Sequence, residues 1–301
     1  MKKILWVVII SMLCAWPAAA KPRTVMGSVD YKTQEAYNVE SFSALVVQGQ
    51  IEVEFQQAAE EAYTVSFNGP YNLADLVEIA SKNGVLEIHY KEPIFVLGDQ
   101  QLRVQVSAPV LKRIEIKEAG EIHIHAPLAV DELEIIAGGQ AEIEIDELQA
   151  QAVRADLTGE AGVEIDRLTC QTLQVTAADR ASFDADRADC DSVMTQANNR
   201  ADIAITGLNG ATVSVESMHS SETEIKGRVQ TASLIARDRS EINASSLQAE
   251  NADVMAERSA HIGVRVSDTL NAETQGRGLV EYKGWPKQIN RTGKGKVQPE
   301  K

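Results

Sequence analysis

Apolar and polar residues alternate along most of this chain, and beyond residue 137 the alternation returns at a fixed step of twenty. GGQAEIEI (138–145) is followed by TGEAGVEI, ADRASFDA, NNRADIAI and MHSSETEI, each twenty residues after the last. One column of the repeat reads Gly139, Gly159, Asp179, Asn199, His219. These residue types enter the left-handed backbone region most readily, so the column predicts a recurring turn with positive φ. The column two residues on is always small: Ala141, Ala161, Ala181, Ala201, Ser221. Then come two apolar columns, Ile143/Val163/Phe183/Ile203/Thr223 and Ile145/Ile165/Ala185/Ile205/Ile225, with polar or small residues between them. Such period-two alternation predicts a half-buried strand.

A second strand repeats within the unit, with inward columns Leu133/Val153/Leu173/Val193/Val213 and Ile135/Ala155/Val175/Thr195/Val215. A third inward column runs Leu148, Leu168, Ala188, Leu208 and ends at Arg228. Twenty residues are too few for a strand and a crossover helix. They suit one turn of a parallel β-solenoid, each coil about 4.8 Å above the last. Phe183 shares its coil with Ala185 and Ala188, an exchange that keeps the layer's volume. A β-sandwich also repeats strands every 8–12 residues, but it has no reason to hold columns in phase over five units. The period slips after Thr223, since Ile242 follows it by nineteen, and upstream Ile122 precedes Ile143 by twenty-one. About nine coils are expected from Leu111 to Tyr282, roughly 40 Å of solenoid.

The ends divide the chain further. Residues 1–20 carry Lys2 and Lys3, an apolar run and Ala18-Ala19-Ala20, which reads as a signal peptide directing export to the periplasm or cell surface. Leu13 before Cys14 is too bulky for a lipoprotein anchor site. Residues 21–37 are an extension, and 38–110 hold irregular alternating strands with an Asn83-Gly84 hairpin turn. That segment is placed to cap the open N-terminal edge of a solenoid. The array (111–286) closes on GRGLVEYKGWP, with Trp285 expected over the last core layer and Pro286 stopping further pairing. Residues 287–301 read as a flexible polar tail rather than the amphipathic strands of a membrane barrel.

NVESFSALVVQGQIEVEFQ, NGVLEIHY, APVLKRIEI, the recurring turns and GRGLVEYKGWP resemble the auto-transporter adhesin, head GIN domain family over nearly all of the chain after residue 20. The resemblance implies an exported, right-handed β-helical domain with no established activity, which makes the solenoid of about 20 residues per coil a right-handed parallel β-helix. The chain departs from that family in its turns, which use Ala, Asp, Asn and Arg where the family uses Gly-Ser-Gly.

Charge narrows the function. The formal net charge is −15, which repels nucleic acid and anionic lipid, while 44% hydrophobic residues on a regular period exclude a disordered acidic chain. Glu144, Glu164, Asp184 and Glu224, with Asp202 beside them, form an acidic outward ladder that stacks like charges. Arg167, Arg180, Arg187 and Arg200, or a divalent cation, would offset it. Glu121, His123 and His125 share an outward face with Glu144, a donor set for a transition metal. Ca²⁺ is the other candidate, although the Gly-Gly-x-Gly-x-Asp loop of calcium β-rolls is missing. Exposed His on a strand is otherwise simply polar. Cys170 and Cys190 lie one period apart, close enough for a disulfide in an oxidising compartment or for a stacked pair of thiols.

The reading is therefore an all-β, exported, adhesin-like binding module that presents ladders of Glu, Asp, Asn, Arg and Thr to an envelope glycan or protein, without catalysis or cofactor. The alternatives are a carbohydrate-active enzyme using Asp184 and Asp202 as paired carboxylates, and a passive envelope scaffold.

Overall fold

The computed structural model describes residues 22–34, 37–59, 62–98 and 102–300. The leader read at residues 1–20, Cys14 included, lies outside them. The described chain is all-β, with one four-residue helix at Tyr71–Ala74, and its stacked parallel strands form a β-solenoid of about nine turns. No helix among the described residues is long and apolar enough to cross a membrane.

The coils of the repeat contribute to three parallel ladders. In the first, Arg113–Lys117, Glu132–Ala137, Ala152–Leu157 and residues 172–177 stack in turn, and the ladder continues through 269–274. In the second, Glu121–Ile124 is followed by 142–145, 162–165, 182–185 and 202–205. The third is short: Leu128–Ala129, 147–149, 167–170 and 187–190. Alternation along each strand sends one set of side chains inward. Ile143, Val163, Phe183 and Ile203 pair directly from coil to coil, as do Leu173 with Val193 and Leu168 with Ala188, and all are buried. Phe183, Ala185 and Ala188 lie in one layer's core, where the two alanines make room for the ring.

The turn between the first and second ladders is left-handed in every coil of the repeat. Gly139, Gly159, Asp179, Asn199 and His219 have φ between 64° and 77°, and Asp238, Arg258 and Gly276 extend the column. A Cβ on Gly139 would run into the Glu118 carbonyl. The small column beside the turn is buried. Where it changes to serine, each hydroxyl donates within the turn: Ser221 to the Met218 carbonyl (2.9 Å) and Ser240 to that of Arg237 (2.8 Å).

At the N-terminal end the coils are out of sequence order. Ala44–Gln48 and Ile51–Gln57 make one coil; Val85–Tyr90 and Leu102–Ala108 make the next in sequence. The later coil stacks outside the earlier one, whose other side receives Arg113–Lys117 and Glu121–Ile124. Antiparallel strands then cover the outer edge: Val77–Lys82 on Val85–Tyr90, Thr64–Pro70 on Leu102–Ala108, and Tyr31–Gln34 on Thr64–Pro70. The hairpin turn at Asn83-Gly84 has both residues at positive φ (53° and 80°), the twist that suits a two-residue loop.

The other end differs from expectation. Gln288–Gly293 and Lys296–Pro299 are strands that pair in parallel with 269–274 and Leu279–Lys283, so this stretch adds a coil and is not a flexible tail. Pairing resumes two residues after Pro286. Trp285 covers no layer: it is 94% exposed, because the added coil already lies over the core. Arg228 is not inward either. A bulge between Ile205 and Leu208 sets Leu208 opposite Gly227, which turns Arg228 outward beside Asn209.

Cys170 and Cys190 are register partners with Cα atoms 4.7 Å apart, and they form a disulfide between adjacent coils. It closes a loop spanning 20 residues, which in a chain-entropy treatment restricts the unfolded state by about 3 kcal/mol. The double variant Cys170→Ala/Cys190→Ala should lose stability of about that size, read as a lower denaturant midpoint. Free thiols in the unreduced, unfolded protein would contradict the staple. Thr195 and Thr223 offer a paired test. The buried Thr195 hydroxyl has no hydrogen-bond partner among the described residues, whereas Thr223 shares a 2.8 Å bond with Ser217. Thr195→Val, between Val175 and Val215 in its column, should stabilise by about 1 kcal/mol. Thr223→Val, which orphans Ser217, should destabilise by about as much. Equal midpoint shifts of one sign would refute this account.

Candidate functional site

The outward face of the second ladder is built by the same alternation that buries its isoleucines. Two columns result. One runs His123, Glu144, Glu164, Asp184, Ala204, Glu224, Asn243; the other runs Glu121, Glu142, Gly162, Ser182, Asp202, Glu222, Glu241, His261. Coil spacing sets the carboxylates of Glu144, Glu164 and Asp184 directly above one another. Asp184 and Asp202 are diagonal neighbours, because Asp184 pairs with Ala204 and Asp202 with Ser182. They belong to a continuing row rather than to an isolated carboxylate pair.

The cations expected to offset this row stand elsewhere. Arg167 pairs with Glu147 at 2.6 Å and Arg180 with Glu160, both outside the two columns. The Arg187 Nε donates to the backbone carbonyl of Asp166 at 3.4 Å. Arg200 forms no ion pair among the described residues. Among the described residues of the columns the paired acids lie toward the ends: Glu121 and Glu144 by His123, Glu224 by Lys226 (2.7 Å) and Glu241 by His261. Glu142, Glu164, Asp184, Asp202 and Glu222 have no ion-pair partner among the described residues. Loss of hydration between neighbouring coils raises the Asp184 pKa above its ordinary value, and the charges of Asp202, Glu164 and Asp186 add to the effect. The same loss of hydration raises Asp202, helped by Glu224, and raises Glu222, helped by Asp202 and Glu241.

The proposed metal ligands are adjacent but otherwise engaged. The His123 Nδ1 lies 3.0 Å from Glu144 and its Nε2 lies 3.7 Å from Glu121, so one imidazole bridges two carboxylates. His125 pairs with Asp146 at 3.3 Å, and the two imidazoles stack with centroids 5.8 Å apart. Among the described residues no three His, Cys, Asp or Glu side chains are arranged to share a metal ion.

Two shallow hollows meet at His123. Small residues at Gly162 and Ser182 leave one of about 270 Å³ among Glu142, Glu144, Glu164 and Asp184. The other, of about 580 Å³, lies toward the N-terminal coils between Glu54, Ser66, Gln105, His123 and His125. A third groove, of about 730 Å³, lies at the far corner beside Arg228, Arg265 and Trp285. Sequence reasoning missed it because Arg228 and Trp285 were both read as facing or covering the core. The available signal was the slip in period after Thr223.

Comparison with known proteins places this architecture. The family model described as "Putative auto-transporter adhesin, head GIN domain" matches residues 41–207 and 189–286. No curated protein matches the chain. Among solved structures, the chain is similar to a "putative adhesin" from Parabacteroides merdae at 19% identity and a TM-score of 0.54, covering 93% of this chain and all of that one. A "putative adhesin" from Parabacteroides distasonis is similar at 17% identity and 0.52, covering 92% and 100%. A "putative lipid binding protein" from the same species is similar at 19% and 0.51, covering 93% and 100%. At these identities the likeness to the three structures is one of fold.

The raised carboxylates carry a sign that can be checked. Their folded-state pKa values exceed the unfolded ones, so the folded chain holds these protons more tightly. Stability from this face is full at acid pH and is lost as pH climbs from the ordinary carboxylate value through the raised one. Asp184→Asn removes one charge from the row and should stabilise at neutral pH by up to about 1 kcal/mol. The gain should vanish below the ordinary aspartate value of 3.8. Denaturant midpoints at pH 3 and pH 7 measure it, and a loss of stability at neutral pH would show that the row is neutralised by some other means.

Proposed function

This chain belongs to the family of auto-transporter adhesin head GIN domains, and on that premise we propose that it is an exported, adhesin-like binding module whose contact surface is the outward face of the second ladder. One observation carries the reading. Among the described residues, Glu142, Glu164, Asp184, Asp202 and Glu222 have no ion-pair partners while arginines nearby pair with other acids. Stacked like charges cost stability, and a ligand that brings hydroxyl or ammonium donors offsets that cost when it binds. A glycan rich in hydroxyls, or a protein segment rich in Lys and Arg, has that chemistry. The hollow at Gly162 and Ser182 gives such a ligand access to four carboxylates at once.

We read this surface as binding rather than catalytic. Asp184 and Asp202 are members of a row that runs along the solenoid, and hydrolysis needs two carboxylates whose environments differ. Export is our reading of the leader-like residues 1–20, and the family supports it.

The test is retention on an array of envelope and host glycans and basic peptides, comparing the protein with a Glu164→Gln/Asp184→Asn/Asp202→Asn variant. The expected result is saturable retention of at least one ligand class, weakened about ten-fold or more in the variant, whose thermal unfolding is not lowered. Equal retention by the variant would remove the carboxylate face from the reading. Absence of any retention would leave a scaffold. Release of reducing ends or unsaturated sugars from a polysaccharide panel would make the protein an enzyme.

A further inference from the structure

The corner groove near the C-terminal end has a chemistry opposite to that of the carboxylate face. Successive coils place Asn209, Arg228, Gln248 and Arg265 in one outward column. Arg228 and Arg265 are therefore two coils apart, about 10 Å at strand spacing. Gln230, Glu250 and Trp285 complete the lining of a groove of about 730 Å³.

Two features mark this groove out. Neither guanidinium forms a hydrogen bond or ion pair among the described residues, although the chain carries a net charge of −15 and Glu250 lines the same groove. By contrast Arg113, Arg154, Arg167, Arg180, Arg237 and Arg258 are all ion-paired, and although Arg200 and Arg239 also lack side-chain partners among the described residues, neither lines this or another of the grooves described above. Beside the groove, Lys287 pairs with Asp268 at 2.9 Å and Lys283 with Glu300 at 2.7 Å, so these neighbours neutralise themselves. The second feature is Trp285, 94% exposed. Its presentation is built into the backbone. Gly284 has φ 88°, and a Cβ there would run into the Val266 carbonyl, so the chain can hug the preceding coil only with glycine at that position. Pro286 then restricts Trp285 itself to an extended backbone.

We propose that this groove binds a linear acidic saccharide. The indole face stacks on a sugar ring, an arrangement suited to the apolar faces of pyranoses. Arg228 and Arg265 take carboxylate or sulfate groups through bidentate hydrogen bonds. Gln230 and Gln248 are placed to bond hydroxyls between them. Two guanidiniums separated by two coils match anionic groups carried on alternate sugars of an extended chain. Nucleic acid fits less well, because two arginines do not overcome the repulsion of an acidic protein along a polyanion. The groove lies on a different ladder from the carboxylate face, so this proposal does not rest on that reading.

Tryptophan fluorescence and calorimetry on the full chain, expressed for export, test it, with Trp285→Phe as the optical blank. The probes are polygalacturonate oligomers, chondroitin sulfate oligomers, neutral cello-oligosaccharides, and vesicles of phosphatidylglycerol in phosphatidylcholine. Saturable binding of at least one acidic oligosaccharide is expected, weakened by salt and absent with the neutral one. The Arg228→Gln/Arg265→Gln and Trp285→Ala variants should each weaken it about ten-fold or more, with unchanged far-ultraviolet circular dichroism. Asp184 and Asp202 are intact in these variants, so a loss reports on the groove alone. Undiminished binding by the arginine variant, equal binding of neutral sugar, binding only to vesicles, or no binding at all would each overturn the proposal.

Discussion

From the turn at Glu118 to that at Gly276, each coil is held in place by the amide of the residue after its left-handed turn. That amide donates to the carbonyl of the left-handed residue one coil earlier: Arg180 to Gly159, Arg200 to Asp179, Ser220 to Asn199 and Arg239 to His219, each at 2.8 Å. The bond exists only if both turns have the same positive φ and the coils are in register. A residue able to adopt that conformation is thus needed once per coil, and glycine, asparagine and aspartate adopt it at least cost. With the turns fixed, the strands on either side are fixed too, and each side chain meets its own counterpart above and below.

Stacking of like upon like explains both what stabilises the molecule and what strains it. Apolar residues pile into continuous columns. Amide–carboxylate pairs form chains of hydrogen bonds on the surface, Asn199 to Asp179 at 3.0 Å and Asn209 to Asp189 at 3.1 Å. Cysteines one coil apart fall at bonding distance. The same rule places carboxylate over carboxylate on the second ladder, where no rearrangement of a single coil can separate them. Glutamate or aspartate there is unfavourable for folding alone. The proposed binding role would account for residues that stability does not.

The columns, the left-handed turns, the small-residue column and the thiol pair were legible because each is a local consequence of the period. Three things were not. The swapped order of the first two coils depends on pairings between distant segments, and residues 44–57 and 85–108 carry the same alternation, so neither announces that it lies outermost. The last coil was hidden by its polar composition and by a contracted period: Leu270 pairs with Ile289 after nineteen residues and Val280 with Val297 after seventeen. Trp285 then read as a lid, since a large apolar residue at the apparent end of a core has no other reason to be there. The histidines were found together as expected, but their pairing with Glu121, Glu144 and Asp146 depends on rotamers and distances that spacing does not give.

A strict repeat offers a ligand the same feature at every coil, which suits a long, weakly discriminating contact. A distinct site requires a departure from the repeat. Here the departure is physical: a bulge between Ile205 and Leu208 shortens the next coil by one residue at its corner, and one between Glu224 and Gly227 restores that residue a coil later. The apolar column stays aligned because the residue is lost at the turn, where no core side chain depends on it. The outward column changes instead, and Arg228 enters a line that carried Asn209 and Asp189 one and two coils before. Arg265 joins it through a third irregularity, between Ala244 and Gln248. The solenoid thus changes the charge of one corner without disturbing the core, and the two opposite surfaces belong to one stack of sheets.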